Sequence, residues 1–458
     1  MRAKSTLLIL IIAIIVGFAA RATFQSSSAA KSRIEPSVPN PSTAAAPTGP
    51  RTDVGSRSDV DLRPLEIFYN VLRLVRDEYV EPIDKPQEKK MAYGSIRSML
   101  DSLHDPLTRF LEPEQVEAYL GMNDGKFQGI GAVIQVVQTK QDGLVEEGLS
   151  VLSVVPGSPA ERAGLKTGDS IVSINGKTIL PYDPYQRVEK LLKDARTQQM
   201  PREKLIKILE SENDRIKNGV SFQKALDMLY SNSSNELEIS VKRAGANAPL
   251  TFKMNPTTTA VNPVSWWTPK PDIVCVKVRL LNKKAFTELE QAIQEFKQKG
   301  YRSMILDLRD SLGGSLEDTQ SIAGFFEPGK TLTIVQLPKS KTKPIKAAAQ
   351  PADRVWNGSL AVLVNSGTSG LSEVLAASLR DNQSAKIIGT KTAGQSLKQT
   401  FVELSDGSGI TITTGKYLTS RSKDFKGIGL SADIAVTGNS EQIDKAVEIL
   451  SKPKGGSV

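Results

Sequence analysis

The sequence has one histidine, His104, and one cysteine, Cys275. An intramolecular disulfide, a Cys-x-x-Cys redox pair and zinc sites rich in Cys or His are therefore excluded. A Ser-His-Asp mechanism has only His104 to run through, and Leu103-His104-Asp105-Pro106-Leu107-Thr108 reads as a turn rather than as a catalytic segment. Because the cysteine lies at 275, lipid attachment to a cysteine near the N-terminus is excluded too. Aromatics are 5% of the chain, and no basic block is interleaved with them, so nothing resembles a nucleic-acid module; 59 basic against 50 acidic residues give +9, a mildly basic surface. No cofactor and no metal site is expected. Long apolar runs are absent after the first, Leu7 to Ala20.

That run follows Arg2 and Lys4 and precedes the small-x-small pattern Ala20-Arg21-Ala22, which is an export signal. It is short for a span of about 20 residues, so cleavage after Ala22 is expected, with an uncleaved inner-membrane anchor as the alternative. The mature protein is expected outside the cytoplasm, in a periplasm or equivalent space, touching membrane only through residues 1–22 if they are retained. Residues 23–61 are rich in Ser, Ala, Pro and Thr and carry few large apolar side chains, the composition of a disordered linker.

With 458 residues, 39% hydrophobic and 24% charged, the remainder has the length and composition of a multidomain globular protein. Leu65, Phe68, Val71, Leu72, Leu74 and Val75 recur at helical spacing and a second helical stretch covers about 87–103, which predicts a helical cap over 62–121. Residues 122–256 read as short strands with turn punctuation. Ser158 stands as a helix N-cap, Pro159 at the first helical position and Gly164 as a left-handed stop, while Asn175-Gly176 is a tight-turn dipeptide after the strand Asp169–Ile174. Gly129-Ile130-Gly131-Ala132-Val133 puts two glycines directly before an apolar strand. These residues resemble a PDZ domain. A glycine turn exposes N–H groups that hold a carboxylate, and the following strand edge pairs with an extended peptide, so 129–133 are the candidate peptide-binding residues; the alternative is a plain hairpin corner. The charged, helix-forming stretch 184–230 departs from the pattern and reads as an insertion, packing on its own domain or serving partner docking, self-association or as a lid.

Strands and helices alternate from Ile273, predicting a mixed α/β core over 257–448 and a tail at 449–458, so the fold class is α/β (α+β) in several domains. Two strand-to-helix junctions stand out, 308–315 with Gly313-Gly314 and 365–373 with Asn365-Ser366-Gly367-Thr368-Ser369-Gly370-Leu371-Ser372-Glu373. Unpaired N–H groups at a helix start suit such turns to oxyanion stabilisation.

Together with Ile305–Arg309, Gly389–Thr392, Gln399 and Gly427–Ile434, these residues resemble the carboxyl-terminal processing (tail-specific) protease family, and the resemblance covers nearly the whole mature chain. That family uses a serine in an Asn-x-Gly-Ser/Thr-Ala-Ser-Ala-Ser-Glu elbow and, 25 residues later, a lysine followed four residues on by glutamine. The resemblance puts the nucleophile position at Gly370 and the base position at Gln395, with Gln399 on the glutamine and Gly313, Gly314 and Leu371 as the oxyanion shell. Glycine has no hydroxyl, and an amide is not a base near neutral pH. The expected function is that of a pseudoprotease that binds polypeptide C-terminal segments as scaffold or adaptor. The alternatives are an active serine endopeptidase using Ser369 or Ser372 with Lys398 or Lys391, and a structural assembly protein oligomerising through 184–230.

Overall fold

The computed structural model describes residues 63–452 apart from 104, 142–143, 182–183 and 233–234. The expected signal, the linker, His104 and residues 453–458 of the expected tail lie outside the described residues. Among the described residues no helix is long and apolar enough to cross a membrane.

The chain divides into two compact units, Met1–Glu81 and Pro82–Val458. In the first, the 63–75 periodicity forms α1 (Arg63–Glu78), on which Leu65, Phe68, Val71 and Leu74 are exposed.

The second unit opens with α2 (Lys85–Asp101), whose first turn is closed by reciprocal bonds between Asp84 and Gln87. There follow β1 (Arg109–Leu111), α3 (Pro113–Asn123) and β2 (Lys126–Phe127). This region is not a separate helical layer: β1 pairs antiparallel with residues 409–411, and Tyr93, Leu100 and Phe110 are buried with Leu404 and Ile410.

The PDZ-like portion contains β3 (Ala132–Gln141), β4 (Leu144–Val154), α4 (Pro159–Ala163), β5 (Ser170–Ile174), β6 (Lys177–Ile179), α5 (Pro184–Thr197), α6 (Arg202–Asn218), β7 (Gly219–Val220), α7 (Phe222–Tyr230), β8 (Leu237–Lys242) and β9 (Leu250–Met254). Its strands form one sheet, β3-β4-β5-β6-β7, with β8 paired to both β5 and β9. Local chemistry dictates the short turns. Ser158 Oγ accepts from Glu161 N at 3.2 Å, Gly164 ends α4 at φ 88°, and Asn175 and Gly176 turn at φ 51° and 73°. The 184–230 stretch is not uniform. Ala225, Leu226 and Leu229 of α7 are buried with Ile130, Leu149, Ile174 and Ile239 of the β-domain, so α7 belongs to that domain's own core; α5 and α6 are what is added.

After β10 (Thr259–Ala260), which pairs with β2, come β11 (Val264–Lys270), β12 (Ile273–Val278), α8 (Lys283–Gln298), β13 (Ser303–Asp307), α9 (Leu316–Ala323), β14 (Thr331–Gln336), β15 (Thr342–Lys346), β16 (Ser359–Val364), α10 (Leu371–Asp381), β17 (Lys386–Gly389), β18 (Leu397–Glu403), β19 (Gly409–Leu418), β20 (Ile434–Ala435) and α11 (Asn439–Ser451). The core sheet runs β11-β12-β13-β16-β17-β20, parallel except for edge strand β11. Alternation along β12 sends Val274, Val276 and Val278 toward α8, α9 and α10, and Ile273 and Cys275 toward α11. Burial pushes the Cys275 thiol far up, so it packs as an inert apolar group. Trp266 and Trp267 on β11 are 39% and 37% exposed; the Trp266 ring stands nearly perpendicular to that of Phe296, 5.1 Å between centroids, and Lys299 Nζ lies over it. A second sheet, β1-β19-β14-β15 with β18 on β19, completes the unit.

Candidate active site

In a parallel sheet the loops leaving the carboxyl ends of the strands form the crevice. Three such loops meet here: 308–315 after β13, 365–370 after β16 and 390–396 after β17. The first is based on a buried ion pair, Arg309 gripping Asp307 through Nε at 2.8 Å and Nη2 at 2.7 Å while Nη1 reaches Asn439 O at 2.8 Å and anchors α11.

Asn365 and Thr368 tie the first two loops together. Asn365 Oδ1 accepts from Asp310 N at 2.9 Å and from Gly367 N at 3.0 Å, its Nδ2 donates to Asp310 Oδ1 at 3.0 Å, and Thr368 Oγ1 donates to Leu308 O at 2.8 Å. The chain then turns into α10 through Gly370 at φ 59° and ψ −124°, a conformation that strains any L residue. Sharp strand-to-helix turns of this kind are where hydrolases mount a nucleophile. A Cβ built on Gly370 meets nothing nearer than Leu312 O at 4.0 Å, so the position has room for a side chain and pays only backbone strain for one.

Glu373, buried in the first turn of α10, holds the third loop. Its carboxylate accepts from Gly370 N at 3.1 Å, Gly394 N at 2.8 Å, Gln395 N at 2.7 Å and the hydroxyl of Thr392. Burial pushes its pKa up, and these donors oppose the shift. One oxygen, Oε2, serves both Gly370 and Gln395. Residues 427–430 brace the same loop: Leu430 N donates to Thr392 Oγ1 at 2.7 Å, and a Cβ on Gly429 would lie 2.1 Å from Thr392 O. Sequence reasoning did not single out Glu373 as an anchor, although glutamate three residues after a helix start is a capping signal that points to it.

The candidates divide sharply. Gln395 Nε2 donates to Gln135 Oε1 on β3 at 3.0 Å. Gln399 Nε2 donates to Thr413 Oγ1 at 2.7 Å, while its Oε1 is buried without a hydrogen-bond partner among the described residues. Ser372 is fully buried, with Oγ 2.7 Å from Ser311 Oγ and accepting from Gly313 N at 3.0 Å. The expectation that Gly313 donates to an oxyanion is thereby corrected, because its N–H is spent on Ser372. Gly314 N and Leu371 N have no acceptor among the described residues, and Leu371 N faces Gly313, 2.9 Å from a Cβ built there. Ser369 Oγ is aimed at Ser311 O at 3.4 Å. Lys398 Nζ bonds Thr400 and Thr414 hydroxyls at 3.1 and 3.2 Å on the strand face away from Gln399, and Lys391 is exposed. Among the described residues no hydrogen bond joins either serine to either lysine.

In the candidate peptide groove, Ile130 N donates to Leu229 O at 3.0 Å and Ile134 N to the Tyr230 hydroxyl at 3.0 Å. Gly129 must be glycine, since a Cβ would lie 2.1 Å from Leu229 O. Gly131, Ala132 and Val133 continue into β3, and a Cβ on Gly131 would strike the side chain of Ser158. The end of α7 thus occupies donors that an incoming peptide strand would use.

A β-rich peptide-binding module set against an elbow between a parallel strand and a buried helix defines a chain of serine-peptidase fold joined to a PDZ domain. Residues 272–436 match peptidase family S41 and residues 150–199 match the PDZ domain. The chain is 28% identical to a carboxyl-terminal-processing protease of Synechocystis sp., over 79% of this chain and 74% of that protein. It is 27% identical to a chloroplastic C-terminal processing peptidase of Tetradesmus obliquus, over 79% and 71%. Among solved structures, a photosystem II D1 C-terminal processing protease superposes with a TM-score of 0.57 at 25% identity, covering 84% of this chain and 91% of that one. Over residues 272–436 the chain carries the peptidase family S41 match, and over about four fifths of its length it is similar to carboxyl-terminal processing proteases.

Proposed function

We propose that this chain is a non-catalytic member of its family, a pseudoprotease that binds polypeptide C-terminal segments outside the cytoplasm and acts there as a scaffold or adaptor. The observation that carries the reading is Gly370: a sharp strand-to-helix turn of the kind that presents a nucleophile has space there for a side chain and carries none. Position 395 supports it independently. Gln395 has no basic nitrogen, and its amide is committed to Gln135. Four residues on, Gln399 Oε1 is buried with no donor among the described residues, as the loss of an ammonium beside it would leave it.

Peptide capture rests on the PDZ domain and on the edge of β3, and requires Tyr230 to leave Ile134 N. A position outside the cytoplasm rests on the N-terminal export pattern.

The test is incubation of the purified protein with unstructured peptides bearing free C-termini, with a serine-directed covalent probe in parallel. Binding without products and without labelling is expected. Products that disappear in Ser372→Ala or Lys398→Ala would establish the displaced-pair endopeptidase instead.

A further inference from the structure

Beside the three loops lies a cleft of about 320 Å³. One wall is the end of β4 and the turn after it, Ser153–Pro156; another is Asp310 and Leu312 of the 308–315 loop; Phe127, Val261 and Leu280 supply an apolar floor. Two cations line it, Lys277 and Arg279, placed on one face by their spacing of two along and just beyond β12.

The charges around this cleft are unevenly spent. Asp310 Oδ1 accepts from Asn365, and Glu161 Oε2 accepts from Gly157 N at 2.7 Å. Asp307, the acid nearest Lys277 at 3.8 Å, is already gripped by both Nε and Nη2 of Arg309. Arg279 uses Nη1 on Ser265 Oγ at 3.0 Å, but its Nε is buried with no hydrogen-bond partner among the described residues. Each carboxylate of the cleft thus accepts a bond from within the protein, whereas Arg279 Nε has no acceptor among the described residues. A buried guanidinium N–H without an acceptor is costly, and a carboxylate is the group whose geometry and charge match it. An apolar floor with convergent polar groups is the usual form of a ligand site.

We infer that the Lys277–Arg279 cleft is a subsite for a carboxylate carried by the bound polypeptide, seated where the chain passes Leu312 on its way to the elbow. The inference rests on the polypeptide-binding function proposed above and adds to it a chemical preference. The carboxylate comes from an acidic side chain or from the free C-terminus, and the two are separable.

The experiment measures fluorescence anisotropy of the purified full chain with three labelled peptides built on one Gly-Ser-Ala backbone. The first has two central glutamates and an amidated C-terminus, the second has glutamines and a free C-terminus, and the third has glutamines and an amidated C-terminus. One of the first two is expected to bind roughly tenfold or more tightly than the third, in keeping with a hydrogen bond between charged groups. Arg279→Gln and Lys277→Gln should each remove that preference, and Arg279→Lys should keep most of it. Preference for the first peptide assigns the subsite to an acidic side chain; preference for the second assigns it to the terminus. If Arg279→Gln does not fold, Lys277→Gln carries the test, its side chain being 20% exposed. Equal binding of all three peptides, or a preference that survives both glutamine substitutions, overturns the subsite and leaves the proposed function standing. Absence of binding by any peptide overturns the proposed function itself.

Discussion

Gln395 and Gln135, 260 residues apart in sequence, meet through their side-chain amides at 3.0 Å. The 390–396 loop is thereby fastened to β3, the strand that follows the candidate peptide-binding glycines. A lysine at 395 would give up this amide pair. Gln395 therefore links the loop after β17 to the PDZ-like portion.

The first prediction concerns the elbow. Gly370→Ala should destabilise the protein by about 1–3 kcal/mol, because the cost is that of holding an L residue at φ 59°. Chemical denaturation of wild type and variant measures it. An unchanged or raised stability would mean that the turn has relaxed to another shape.

Gly370→Ser combined with Gln395→Lys should convert an unlabelled protein into one that a serine-directed probe modifies, since Asn365, Thr368 and Glu373 still hold both loops in register. Mass spectrometry of the intact protein reads the adduct. A folded double variant that stays unmodified would place a further defect in the shell, the engagement of Gly313 N by Ser372 being the first to examine.

Removing the phenolic hydroxyl by Tyr230→Phe frees Ile134 N and should tighten binding of free-C-terminus peptides by roughly two- to tenfold, the scale of one net hydrogen bond. Anisotropy titrations of both proteins provide the comparison. Weaker binding would show that the hydroxyl contacts the ligand rather than competing with it.

Stability should depend on pH through Glu327. Burial holds its carboxyl above the ordinary 4.5, while bonds from Ser378 and Asn382 oppose the shift. The folded state thus binds more protons than the unfolded state above about 4.5, so this contribution is fully present below that value and is lost as pH rises through the folded pKa. Melting temperatures from pH 4 to 8 should fall less steeply with rising pH in Glu327→Gln than in wild type. Parallel curves would remove Glu327 as a source of the slope.

Asp307→Asn leaves the buried Arg309 guanidinium short of its counter-charge and should cost about 3–5 kcal/mol, seen as a lowered unfolding midpoint. A loss below 1 kcal/mol would show that Asn439 O and Gln442 suffice to hold it.

What could be read from the sequence was written in short spans. Ser158, Pro159 and Gly164 specify α4 within seven residues, Asn175-Gly176 specifies its turn by backbone preference alone, and the residue types at 370 and 395 need no coordinates. What escaped was set by distant partners. Nothing local to Gly313 reveals that its N–H meets Ser372, 59 residues on, and nothing near Gln395 announces Gln135. The 184–230 stretch read as one insertion because helical periodicity is the same for an added helix and for one that fills its own domain's core; only the burial of Ala225, Leu226 and Leu229 separates α7 from α5 and α6.

Strand β1 finds its neighbour in β19, Arg109 lying opposite Thr411. Synthesis therefore delivers the opening third of the polypeptide long before the ribosome has made the segment that completes its sheet, and closing so large a loop is entropically expensive and kinetically slow. The nascent chain must wait with that edge unpaired, and a C-terminal truncation before residue 409 would strand the N-terminal elements as well as shorten the molecule.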